Sequence, residues 1–313
     1  HTDITLHSRL LDGLNLNKIK LKKYDYSKKN MFYASFKSMY RANESDLRYT
    51  NYKVWESEKF NNTATFGWTH SYKHKGGDGK LNLELTSSTI ASDFDYSKLV
   101  LTSVHKSKFG KLQLNTRLFG QYGSGTNWAG ESRLNLAGAN SEELMENKFT
   151  RSEGFIPNQW LGYGSTTNHF QMGGGLNLRG YAGYYAPEIN DEGNYVLSYN
   201  GTSGASISAE LEFQNIFSFD RIFGLPFKSY LFADAGVINT TEITRENYKE
   251  AFSKVRSDAG LGFALTLNEW GPLQMVKPIT LRLDLPFFLN RYPSVDKDYY
   301  QTNRFIVGIG RTF

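Results

Sequence analysis

The 313-residue chain carries a net charge of +5, a mean hydropathy of -0.50 and no cysteine. It holds no run of eighteen or more apolar residues, which excludes a transmembrane helix, and its length allows one large all-β domain or two smaller ones. Zero cysteine fits a compartment where stray thiols oxidise, such as the bacterial envelope. Lys and Arg are scattered and read as solvated loops, and there is no basic-aromatic module for nucleic acid. His1 is followed by neither a charged n-region nor an apolar h-region, so the chain is read as a mature or excised segment.

Residues 1–12 are a linker or an N-terminal strand, and Leu14, Leu16, Ile19 and Leu21 suggest a strand over about 13–22. Met31–Arg41 and Tyr49–Lys59 read as strands from their aromatic and β-branched content, with the polar turn Ala42–Arg48 between them. Thr63–His74 follows, and Gly76-Gly77-Asp78-Gly79 is a hairpin turn. Next, Leu81, Leu83 and Leu85 alternate with Asn82 and Glu84, and Ser97–Ser107 forms another strand. Lys108-Phe109-Gly110 then turns into Leu112, Leu114 and Leu118, opposite Gln113, Asn115 and Arg117.

The stretch 123–202 breaks this rhythm, with Ser141 read as the N-cap of a short helix and a glycine triplet at Gly173–Gly175 ahead of Arg179-Gly180-Tyr181. A connection this long with so little periodicity is usually functional. Strict alternation then resumes in five segments that end at Phe313. Their polar faces carry Glu210, Glu212, Asp234, Arg256, Asp258, Arg282 and Asp284.

Such a density of both charge signs suits a wet lumen, and the C-terminal segments have the length a tilted strand needs to cross a bilayer. The gaps after residue 216 alternate short (217–226), long (240–255), short (268–276) and long (290–302). That pattern matches short periplasmic turns and longer external loops. The expected fold is therefore all-β: a transmembrane antiparallel β-barrel of the bacterial outer membrane spanning 13–313. It has about 12 strands, fourteen or ten being the alternatives, and 123–202 forms a long external loop folded into the lumen. Arg311 lies on the apolar face of the last segment, where a lipid headgroup would meet it.

Leu178-Arg179-Gly180-Tyr181, the Phe232-Ala233-Asp234-Ala235-Gly236 strand and Asp258-Ala259-Gly260-Leu261-Gly262 occur in this order, followed by two more strands and a terminal aromatic. Over about residues 165–313 the sequence thus resembles the barrel of the BamA, TamA and FhaC superfamily of outer-membrane assembly and secretion proteins, the bacterial surface antigen family. The resemblance implies that the long loop folds back so that Arg179, Gly180 and Tyr181 meet the inner wall near Asp234, and that Phe313 is the C-terminal assembly signal. The residues lead to the same pair by another route: Arg179 would be an unpaired cation in a lumen, and Asp234 lies on the polar face of a central strand.

The sequence departs from the superfamily in showing about twelve strands rather than sixteen, with no substrate-handling domains ahead of the barrel. Leu136–Asn140, Gly173–Tyr184, Gly201–Glu210 and Ser257–Leu265 also look like the C-terminal barrel of a bacterial family with an upstream zinc aminopeptidase-like region.

No His-Glu-x-x-His or Gly-x-Ser-x-Gly occurs, and His70 and His74 on a strand lie roughly 13 Å apart. The chain is accordingly expected to be non-catalytic, without cofactor or metal. Its expected partners are outer-membrane lipid and other outer-membrane or periplasmic proteins of an assembly complex, with no nucleic acid. The expected role is a membrane anchor and docking component in outer-membrane protein biogenesis. An insertase or translocation pore, or an open diffusion porin, are the alternatives.

Overall fold

The computed structural model describes residues 2–11, 13–42, 54–147, 169–189, 193, 195–213, 221–222, 224–243, 248–267, 278–291, 304–311 and 313. These residues form an all-β molecule dominated by one large antiparallel sheet, with almost no helix. The wall strands are β1 (Thr2–Leu11), β2 (Leu14–Tyr24), β3 (Asn30–Arg41), β4 (Phe60–His74), β5 (Gly77–Ser88) and β6 (Asp95–Phe109). They continue as β7 (Leu112–Asn127), β8 (Gly204–Glu212), β9 (Leu225–Ile243), β10 (Arg256–Leu267), β11 (Ile279–Leu289) and β12 (Ile306–Ile309). Neighbours in sequence are neighbours in the sheet, each pairing antiparallel with the next. The free edge of β12 pairs in parallel with the short strand Phe170–Met172, in the register Val307 to Phe170 and Ile309 to Met172. Among the described residues no ladder joins β1 to β12.

Successive side chains on a strand point to opposite faces, and here the two faces differ sharply. Ile4, Leu6, Leu21, Phe66, Leu85, Ile207, Leu231, Leu283 and Val307 lie exposed on the outer face. On the other face Lys37, Arg117, Glu210, Asp234, Asp258 and Asp284 are buried. Water-facing sheets show the opposite arrangement, with greasy side chains covered and charged ones wet. The inner face is buried because described parts of the chain between β7 and β8, 128–147 and 169–189 with 195–203, pack against it. Leu134, Leu136, Leu176, Leu178, Tyr181 and Tyr184 of that segment pack on Phe119, Ile238 and Leu289 of the wall.

One strand expectation changes, and of the two readings of the N-terminal stretch the strand is found. Residues 49–53 of the expected strand Tyr49–Lys59 lie outside the described residues, and 54–59 run as turns. Trp55 is buried there against Leu14, Leu16, Met39 and Met145, so its aromatic content marks an inward packing anchor rather than a paired strand. The N-terminal stretch Thr2–Leu11 pairs with β2 along its whole length, from Thr2–Lys23 to Leu11–Leu14. The helix α1 (Ser141–Glu146) is present, but its N-cap is Asn140. The Asn140 side chain accepts from the Glu143 N–H at 2.9 Å, while the Glu143 carboxylate accepts from the Asn140 N–H at 2.9 Å.

Candidate functional site: the loop-to-wall anchorage

Arg179 opens a single 3-10 turn, Arg179–Tyr181, and its guanidinium is fully buried. A turn this tight aims the side chain away from its own loop and into the polar inner face of β8, β9 and β11. Nε donates to Asp234 Oδ2 at 2.8 Å and NH2 to Asp234 Oδ1 at 3.2 Å, a side-on bidentate grip on β9. NH1 donates to Glu210 Oε1 of β8 at 2.7 Å and lies 3.8 Å from Asp284 Oδ1 of β11. The guanidinium plane lies over the Phe232 ring, 4.5 Å from its centroid. One cation thus ties the loop to two wall strands by charge-assisted hydrogen bonds, with a third strand's carboxylate at 3.8 Å.

Gly180 brings the backbone against β10. A Cβ on it would stand 2.7 Å from the Asp258 Cβ, closer than any real contact, so only glycine fits. Asp258 lies directly across the ladder from Asp234. The Tyr181 hydroxyl donates to Asn290 Oδ1 at 3.0 Å just beyond β11, and its ring lies under Arg256, 5.5 Å from the guanidinium.

The chain terminus enters the same cluster. Gly310 adopts a positive φ of 76°, which turns the backbone out of β12 and swings the next side chain inward. Arg311, expected on the outer face against headgroups, instead ion-pairs Glu210 and donates to Glu212 Oε1 at 2.8 Å, with its guanidinium 5.0 Å from the Tyr230 ring. Strand alternation stops at Ile309, so counting by twos past it assigns the wrong face. Glu210 therefore bridges the loop cation and the terminal one. Arg282 of β11 joins in, donating to Gly310 O at 2.8 Å and to Gln171 of the loop. Phe313 is half-buried.

A second anchorage, not foreseen from sequence, holds α1 to β2, β3 and β6. Glu146 receives Lys18 Nζ at 2.6 Å and Lys37 Nζ at 2.7 Å, while Glu142 pairs with Lys37 and lies 3.8 Å from Lys98. Burial pushes the Glu146 carboxyl up, but Lys37 and Lys18 outweigh it and hold the group well below the usual carboxylate range. Glu143 has no contacting cation among the described residues, and burial pushes it up. Beside this helix an internal cavity of about 480 Å³ remains, lined on the wall side by Lys20, Glu84 and Gln121 among others. Further along, Glu131 pairs with the buried Arg41 of β3 and accepts from Asn61 Nδ2 at 2.8 Å. In the sequence this second site shows only as the spacing of Lys18 and Lys20 on β2 and the acidic Glu142-Glu143 of the helix, each of which a solvated surface explains equally well.

In this cluster Arg179, Arg282 and Arg311 ion-pair with Glu210, Glu212, Asp234 and Asp284, while both buried carboxylate oxygens of Asp258 have no hydrogen-bond partner among the described residues. No protein-family profile and no curated protein sequence matches the chain.

Proposed function

We propose that this chain is a closed, plugged transmembrane β-barrel of the bacterial outer membrane, of the BamA, TamA and FhaC kind. In this reading it serves as a membrane anchor and docking component in outer-membrane protein biogenesis and catalyses nothing itself. The observation that carries the reading is the reversed polarity of the sheet. Ile4, Leu6 and Phe66 on the outer face are 68%, 75% and 63% exposed, while Arg179, Asp234 and Asp284 inside are at most 2% exposed. In water an apolar belt of this extent would drive aggregation, whereas against acyl chains it is the stable arrangement. Closure follows from the same physics. An unpaired β1 edge in hydrocarbon would leave its N–H and C=O groups without partners, so in the bilayer β1 would pair with β12 as Phe170–Met172 gives up that edge.

The interior loop disfavours an open porin. An anchor needs a stable wall and a shaped surface, which a locked loop provides. The likeness to barrels that follow an aminopeptidase-like region would place any hydrolysis outside these residues. Purification from membranes followed by mass spectrometry of co-purified envelope proteins tests the assignment. A stable complex with assembly factors is expected, and a protein that stays soluble and monomeric without detergent defeats the reading.

The insertase reading draws on one specific feature: β12 has four residues, and its edge is held by Phe170–Met172. A short seam of this kind parts more readily than a full ladder. A disulfide engineered between Leu6 and Val307 should leave anchoring intact, and loss of client assembly in the locked protein would favour insertase action.

A further inference from the structure

We propose that the short-turn end of β2–β7 is a binding surface for anionic phospholipid headgroups, with one lipid acyl chain held in an apolar groove on the outer face. This rests on the barrel reading above and adds a ligand to it.

Lysines that are spread out in sequence converge here because antiparallel pairing brings every second turn to the same end of the sheet. The β2–β3 turn carries Lys28 and Lys29 beside Lys22 and Lys23, the β4–β5 turn carries Lys73 and Lys75, and the β6–β7 turn carries Lys108 and Lys111. Asp3, Asp25 and Asp78 are the carboxylates at the same end, and Asp25 is occupied by Ser27 and Asn30 within its own turn. No ion pair among the described residues engages these eight lysines. A surplus of this kind has no internal partner to satisfy, unlike Lys18, Lys37 and Lys98 inside.

The groove adjoins this rim. Its volume is about 600 Å³, and it runs across β2–β6 between Leu21, Phe32, Phe66, Trp68 and Leu85, ending at Lys22 and Lys23. Apolar walls that include the stems of Lys22 and Lys23 match an acyl chain, and the lysines of the adjoining turns match a phosphate above it. Exposed Tyr26 and Phe109 stand at the same level, as amphipathic and aromatic side chains do at a membrane interface. Continuity of the lysines with an exposed apolar face is what selects a lipid over an acidic protein, which would need no groove. Each lysine near an anionic surface enriches such lipid roughly fivefold.

Trp68 lines the groove and supplies the readout. The full chain is reconstituted into vesicles containing increasing mole fractions of brominated phosphatidylglycerol or brominated phosphatidylcholine, with W68F subtracting the signal of the other tryptophans. Brominated phosphatidylglycerol is expected to quench Trp68 at several-fold lower mole fraction, and K22Q/K23Q should abolish the difference while retaining insertion. Equal quenching by both lipids in an inserted protein overturns the proposal. So does a K22Q/K23Q protein that keeps the lipid preference but loses an acidic envelope partner, which would assign the rim to protein. Failure to insert into any vesicle refutes the barrel reading itself, and this proposal with it.

Discussion

Arg179 is held by carboxylates from two strands with a third within 4 Å, so its loss leaves several buried acids facing one another. Removing one member of such a cluster costs about 3–5 kcal/mol, because the remaining charges stay buried without a partner. R179A is therefore expected to release the loop, read as faster chymotrypsin cleavage at the tyrosines within 170–203 and a lower heat-modification midpoint. R179K should recover little of this. An ammonium is a point charge and cannot grip both Asp234 oxygens and Glu210 at once. Unchanged protease protection in R179A would remove the anchoring role. G180A tests the same contact by shape, since its methyl would have to enter space held by Asp258. A loop as protected as in the parent protein would show that the wall yields there.

The helix α1 is only six residues long and owes its position to its neighbours rather than to its own propensity. Its docking should depend on acid. Glu146 has an ordinary value of 4.5 when released and a lower one when docked, so its contribution is complete above that value. As pH falls from about 4.5, the released form takes up a proton first and docking weakens progressively. Pepsin cleavage near 141–147 is expected to accelerate over that range. Glu143, raised on docking, titrates with the opposite sign and favours docking as pH falls. E146Q should consequently abolish the acid release and leave a weak reverse trend. A variant that still releases its helix in acid would place the sensitivity elsewhere.

Across the described residues the wall strands β1–β12 pair antiparallel in sequence order, and on the barrel reading proposed above the stability of the wall depends on closure as well as on the loop. The intact protein should conduct poorly in planar membranes. The R179A/E146Q pair, loosening both anchorages, should raise the frequency of open events several-fold. Equal conductance in the two would mean that the loop does not set permeability. The two anchorages lie on opposite parts of the wall, β2–β6 and β8–β11, with no shared partner in contact, so their effects are expected to add.

How much of this was legible in advance varies residue by residue. The faces of β8, β9 and β10 were readable because a period of two fixes them wherever polar and apolar residues alternate strictly. Arg179 and Asp234 stood out because a cation beside glycine and a carboxylate amid alanine have few alternative uses. Glu210 and Asp284 as partners of Arg179 were not legible, since a strand pattern says which way a carboxylate points but not what meets it. Nor were the α1 lysine contacts or the convergence of the turn lysines, which depend on pairing between strands far apart in sequence.

The sequence by itself determined the all-β class and the two-faced strands, because alternation is a local property of each segment. Only the tertiary structure decided that Trp55 leaves the wall, that Thr2–Leu11 joins it, and that Arg311 turns inward. Those outcomes depend on which surfaces compete for a side chain once distant segments have met, and no local pattern encodes that competition.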